Sequence, residues 1–175
     1  MLERFHVPED VAIRVMPDNM MKTVTEIFKK MGMSEDDAIQ AADVLLYADV
    51  RGIETHGVSN MLRGYVKSFG EGGINPNPKI NTIKEMGAVA TIDSDGGHGL
   101  VVGPYAMNLA IEKAKKFGIG SVTAMNGRHF GAAAYHAAMA LKHDMIGVAM
   151  TTGGMNVVPV DGAKPMVGLN PIGIA

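Results

Sequence analysis

Thr55-His56-Gly57 places an imidazole beside a hydroxyl, in the break between two helical stretches. A neighbouring hydroxyl can set the tautomer of such a ring, and a following glycine lets it aim into a cleft. Because an imidazole titrates near neutrality, it can take the proton released when an alcohol is oxidised. Spacing alone leaves a helix-capping or core role equally open for His56. A second candidate group is Asn126-Gly127-Arg128-His129-Phe130-Gly131, directly after a strand-like run, where α/β folds gather their sites. There His129 sits with Arg128, a potential carboxylate binder, ahead of a helix whose first amides are free. The alternative, a polar loop that only stabilises the next helix, carries less of the pattern. Arg51 and Arg63 flank the His56 turn, and either could hold a carboxylate bidentately or make a surface salt bridge.

Other candidates read as structural. Asp95-Gly96-Gly97-His98-Gly99 leads into Gly103, giving a G-x-G-x-x-x-G spacing one residue longer than the dinucleotide fingerprint. We read it as a tight turn rather than a phosphate cradle, and His98 as a turn residue rather than a ligand. His136 and His143 have no third ligand at helical spacing, so no metal site is expected and both are taken as surface or packing residues. His6 carries no chemical expectation. Glu112, Lys113, Lys115 and Lys116 read as one solvated helix face.

The elements that must position these side chains follow from periodicity. Residues 11–15 look like a short β-branched strand, and Pro17-Asp18 opens a helix to about Lys30, ended by Gly32. Ser34 followed by Asp37 resembles a capping box, and Ala38, Ala41, Ala42, Leu45 and Leu46 recur at helical spacing after it. A third helix is expected from about Ser59 to Phe69, then an extended Asn75-Pro76-Asn77-Pro78 connector. Strands at 79–84, 88–92, 120–124 and 146–150 then alternate with helices at 101–116 and 132–142, which implies crossovers and a largely parallel or mixed sheet. The texture changes near residues 75–85. We expect a helical segment over 1–78 and the first part of an α/β domain over 79–175.

Composition narrows the function classes. The 175 residues carry a formal charge of -2, with 47% apolar and 19% charged residues, so no basic footprint for nucleic acid or anionic membrane exists. Cysteine is absent, which excludes disulfides and thiolate metal sites. With no apolar leader and no run of about 18 apolar residues, a cytoplasmic protein is expected. The last residues, 169–175, read like the middle of a strand, and the sequence is expected to be a fragment.

Taken in order, Ala48 to Ser59 (ADVRGIETHGVS), Asn126 to Gly131 (NGRHFG) and Gly168 to Pro171 (GLNP) resemble the malate/L-lactate dehydrogenase family. That family also includes sulfolactate dehydrogenase, ureidoglycolate dehydrogenase and Δ1-piperideine-2-carboxylate reductase. The resemblance covers nearly the whole chain, and family members are about twice as long. It implies a sulfolactate dehydrogenase-like α/β fold, distinct from the Rossmann fold, and a homodimer. It further implies hydride transfer between a small 2-hydroxy acid, or a cyclic imino acid in some members, and NAD or NADP.

Residue by residue, the resemblance makes His56 the proton donor and acceptor and Thr55 the group that orients it. His129, Phe130, Gly131, Ala132 and Ala133 match the stretch that contacts the nicotinamide, and in some members the histidine at position 129 is itself the acid and base. Many members have an arginine four residues after the first histidine to bind the substrate carboxylate. Asn60 stands there, with Arg63 one turn further on. Leu169 replaces a common threonine before Asn170-Pro171. Beyond Ala175 the family supplies an acidic partner for the histidine and most adenosine contacts. The resemblance therefore also admits a second reading, in which these 175 residues alone are a catalytically silent fragment or dimerisation module.

Overall fold

The computed structural model describes residues 8–175, so His6 lies outside the described residues. Helix α1 (Pro17–Lys30) starts with proline at its first position, where no intrahelical donor is lost, and carries Asp18 in the first turn and Lys29 and Lys30 in the last. Ser34 caps α2 (Glu35–Asp49) by accepting the Asp37 amide, as its spacing predicts. The alanines of α2 leave room for close approach, and Ala38, Ala41, Ala42, Val44 and Leu45 are fully buried. Helix α3 (Val58–Gly70) adds Tyr65 and Phe69, one turn apart on its buried side. Phe28 and Phe69 meet edge to face at 6.3 Å in this core, which extends to Ile74, Leu100 and Val101 across the segment where the sequence changes texture.

The α/β part begins with β1 (Asn81–Met86), an exposed strand paired antiparallel with β2 (Val89–Asp93). Strand β3 (Ser121–Met125) pairs parallel with β2, from Val89 opposite Ser121 to Asp93 opposite Met125. A parallel neighbour demands a long crossover, and α4 (Gly99–Phe117) supplies it, packing on β3. Helix α5 (Ala133–Ala138) packs against a second, two-stranded antiparallel sheet of β4 (Val148–Met150) and β5 (Ile172–Ile174). The three-stranded sheet is mixed, in line with the alternation of elements, while the two-stranded sheet is antiparallel.

Three expectations are corrected. Residues 11–15 form no strand: among the described residues nothing pairs with them, and Ile13 is 88% exposed. The helix expected over 132–142 stops at Ala138 and tightens into a 3-10 turn over Leu141–His143. Backbone at Gly147 lies against the Ala137 carbonyl, a contact that helical periodicity does not report. Lys113 is not on a solvated face but 5% exposed, its ammonium bonded to Glu85 at 2.6 Å and to the Gly87 carbonyl at 3.0 Å. Its aliphatic stem is covered while its charge is met by the β1–β2 hairpin. Lys115 and Glu112 do pair on the surface. Among the described residues no helix is long and apolar enough to cross a membrane.

Candidate functional site

Two loops leave the carboxyl ends of β2 and β3 and are stitched together by backbone bonds. The Ser94 amide donates to Met125, the Gly96 amide to Asn126, and the Arg128 amide to Gly97. Asp95 and Asn126 take positive φ values of 50° and 57°, a conformation that short polar side chains tolerate. The helix α4 that follows packs so closely under the second loop that a Cβ at Gly99 would overlap the carbonyls of Arg128 and His129 and the Cα of Phe130. Glycine at 99 is thus a packing requirement.

His56 is delivered from the other side. After α2 the chain makes a 3-10 turn over Glu54–His56, held by the Asn60 side-chain amide donating to the Glu54 carbonyl at 2.7 Å. Asp49, at the end of α2, accepts the Val58 amide at 2.9 Å and so anchors the start of α3. Its carboxylate lies where a side chain on residue 57 would stand, which explains Gly57. Burial pushes the Asp49 carboxyl up in pKa, and the Val58 hydrogen bond opposes that shift.

The two delivered histidines meet. The rings of His56 and His129 stack at 5.5 Å between centroids, 20° from parallel. Thr55 Oγ1 lies 2.8 Å from Nδ1 of His56. Tyr65 Oη lies 2.7 Å from Nδ1 of His129, and the Gly131 amide donates to the same nitrogen at 3.3 Å. Burial lowers the pKa of His56. It lowers that of His129 too, where the neighbouring His56 charge adds to the effect. Both rings are thereby biased toward the neutral form, and a proton on one disfavours a proton on the other.

Beneath them His98 is 1% exposed, edge-on to Tyr65 at 4.3 Å and near Phe28 and Phe69. It caps α4, with Nδ1 accepting the Leu100 amide at 3.3 Å, while Nε2 faces the His129 carbonyl without a well-formed hydrogen bond. Burial lowers its pKa to about 3. His136, also buried, donates Nε2–H to the Phe130 carbonyl at 2.6 Å, and burial lowers its pKa as well. Both are structural, His136 as a packing residue and His98 as a buried cap beneath the turn. They imply a pH dependence. In the unfolded chain these imidazoles titrate near 6.5, whereas the folded chain keeps His98 neutral down to about 3. Between those values the unfolded state binds protons that the folded state refuses, so stability falls as pH drops below 6.5. The slope for one such group is about 1.4 kcal/mol per pH unit. Urea midpoints at pH 7, 6, 5 and 4 should decline, and the decline should be shallower in His98→Gln. Parallel declines in the two proteins would remove His98 as its cause.

The remaining sequence candidates are dispersed. Arg63 is exposed on α3, three residues beyond Asn60, with no hydrogen bond or ion pair among the described residues. Arg51 instead stacks on the Tyr47 ring at 3.6 Å. Arg128 is spent on the loop, its Nε donating to the Gly73 carbonyl at 2.6 Å, and is not presented as a carboxylate binder. His129 is exposed as a whole residue while its ring packs against His56 and Tyr65, Phe130 and Ala133 are half-buried, and Gly131 and Ala132 buried. Among the described residues no three His, Cys, Asp or Glu side chains gather as a metal site. Sequence reasoning missed Tyr65 and Asp49. A tyrosine on the buried stripe of α3 was a signal, because a buried phenol must find a hydrogen-bond partner. Asp49 offered none beyond closing a helix.

Known proteins share this arrangement of elements. A family model described as malate/L-lactate dehydrogenase matches residues 15–175. A malate dehydrogenase of Pyrococcus abyssi is 44% identical over 175 residues, covering 100% of this chain and 48% of that protein. An L-sulfolactate dehydrogenase of Methanocaldococcus jannaschii is 42% identical over 159 residues, 91% of this chain and 46% of its own. The solved malate dehydrogenase of Pyrococcus horikoshii OT3 superposes with a TM-score of 0.92 at 44% identity, over 97% of this chain and 48% of that one. The chain spans about half the length of the curated relatives it matches. The α/β fold of sulfolactate dehydrogenase type that the resemblance implied is the fold observed.

Proposed function

Because the chain belongs to the malate/L-lactate dehydrogenase family, we propose that it supplies the proton-exchanging half of a nicotinamide-dependent 2-hydroxyacid dehydrogenase acting on small acids of the malate, lactate or sulfolactate type. The observation that carries this reading is the stacked pair of imidazoles, His56 and His129, each with a hydroxyl on Nδ1. Oxidising an alcohol needs a neutral base for the O–H proton, and two rings biased toward the neutral form at a partly open surface provide one.

The donor set suits a nicotinamide partner: neutral nitrogen and hydroxyl groups, with an aromatic side chain, Phe130, half-buried beside them. A bound NAD or NADP supplies the hydride acceptor. His129, Phe130 and Ala133 would offer it side chains, while buried Gly131 and Ala132 set the path of the backbone. In oxidation His56 takes the hydroxyl proton as the C–H bond of the same carbon breaks, and returns it in reduction. Thr55 holds the ring through Nδ1. Arg63, exposed and unengaged among the described residues, is the carboxylate ligand, and Asn60 shapes the turn through the Glu54 carbonyl. A cytoplasmic homodimer is part of the proposal.

Cofactor absorbance followed with a panel of 2-hydroxy and 2-oxo acids tests it. A longer protein containing this chain should turn over at least one of them, and none turned over would reject the activity. One observation favours the second reading for these 175 residues alone: Ile146, Met150, Ile172 and Ile174, around β4 and β5, are between 62% and 83% exposed. Such a surface fits a chain completed by further sequence or a second copy. Turnover by the isolated 175-residue chain would reject the silent-fragment reading.

A further inference from the structure

Both histidines of the stacked pair are competent by type to exchange a proton, and the relation of each to its neighbours differs. At His56 the partner of Nδ1 is the Thr55 hydroxyl, which can donate or accept. Reversing that one hydroxyl lets Nε2 present either a lone pair or an N–H. At His129 the partners of Nδ1 are a backbone amide, Gly131 N–H, and the Tyr65 phenol. An amide N–H cannot accept, so Nδ1 of His129 carries the lone pair and Nε2 carries the hydrogen.

We propose that Tyr65, together with the Gly131 amide, locks His129 in the Nε2–H tautomer, making His129 a fixed hydrogen-bond donor and leaving proton exchange to His56. Tyr65 is thus a positioning residue. It is placed to act this way: its side chain is buried, and its ring is braced edge-on by His98 at 4.3 Å, which fixes the direction of the phenol. Burial also raises the pKa of that phenol well above its usual value, so it stays a donor throughout the working range. The His98 cap and the Gly131 turn belong to the same device. Gly131 has a φ of 74°, and a Cβ there would press on Leu100 and Val44, so the amide that points at Nδ1 depends on glycine.

The consequence is a division of labour within the proposed dehydrogenase site, on which this inference rests. Protonating His129 would set a hydrogen on Nδ1 against the Gly131 N–H, whereas protonating His56 needs only a turn of the Thr55 hydroxyl. The single proton that the stacked pair can share therefore goes to His56. His129 donates from Nε2 to the oxygen of the bound acid without exchanging its own hydrogen.

The test is long-range 1H–15N correlation on protein labelled at histidine, using a longer protein that contains this chain, with neither substrate nor cofactor added. The His129 signals are assigned by their loss in His129→Asn. We expect a pyridine-type shift at Nδ1 and a pyrrole-type shift at Nε2 of His129 in the unmodified protein. In Tyr65→Phe, which keeps the ring packed against His98, the two shifts should converge. With a substrate found, kcat should fall about tenfold, the scale of one lost hydrogen bond, with KM changing little. A pyrrole-type Nδ1 in the unmodified protein overturns the lock whether or not the variant folds, and so do unchanged His129 shifts in Tyr65→Phe. Because the spectra need no turnover, the expected shifts in a protein that oxidises no hydroxy acid would uphold the lock and reject the activity instead.

Discussion

His56→Ala should lower kcat for 2-hydroxyacid oxidation by about 10²- to 10⁴-fold, the range for losing a positioned general base, while leaving the fold intact. The side chain is half-buried rather than part of the core, held by the Thr55 hydroxyl and stacked on His129, so its removal opens no core cavity. The pH profile separates loss of the base from general damage. Burial lowers the pKa of His56, so its neutral form persists below the usual 6.5 and oxidation should hold its rate into mildly acidic solution. Reduction of the oxo acid needs the protonated ring and should rise as pH falls through that lowered value. The limb belongs to the stacked pair, because a charge on either ring raises the cost of charging the other. His56→Ala should abolish the limb in both directions. Undiminished turnover, or an unchanged acidic limb in the variant, would transfer proton exchange to another group. His129→Asn retains an N–H donor and should be the milder substitution if His129 only donates.

How much of this was readable before the structure depends on how local the cause was. Pro17 at a helix start, Ser34 accepting the Asp37 amide, and the alanine rhythm of α2 are determined within a few residues, and all three fall where expected. Residues 11–15 have the composition of a strand, but a strand exists only where another offers its backbone, and none of the described residues pairs there. Lys113 follows the same logic in reverse. It sits in a lysine-rich turn of α4, yet the hairpin carrying Glu85 and the Gly87 carbonyl lies over it, and that hairpin is 26 to 28 residues away in sequence. The candidate site was legible as types and positions, since Thr55, His56 and His129 announce themselves by their neighbours. Their meeting was not, because 73 positions separate the two histidines, and His129 arrives on an interlocked pair of loops while His56 arrives on the turn after α2. Tyr65 stayed hidden for a related reason: a tyrosine at helical spacing reads as core, and only its partner, 64 residues on, reveals the polar end.

That interlock predicts the second large effect. Gly99→Ala should destabilise the fold by about 3 kcal/mol and remove most activity together, because the added methyl meets backbone rather than a side chain that could turn aside. The atoms it would strike are the carbonyls of Arg128 and His129 and the Cα of Phe130, so relief requires α4 and the loop at 126–132 to separate. Separation would weaken the Arg128-to-Gly97 backbone bond and the grip of His136 on the Phe130 carbonyl, and would carry His129 away from Tyr65 and His56. A misplacement of about 1 Å in a catalytic group can lower a rate about a hundredfold. Gly64→Ala provides the contrast. Gly64 lies within α3, no atom stands within 4 Å of the added methyl, and replacing a helical glycine should stabilise by about 0.5 to 1 kcal/mol. Thermal unfolding of the two variants should therefore move in opposite directions. In Gly99→Ala the His129 nitrogen shifts should also depart from their locked values, which a loss of stability alone would not cause. If Gly99→Ala unfolds at the same temperature as the unmodified protein and keeps those shifts, α4 does not hold the loop, and the rigidity attributed to His129 must come from elsewhere.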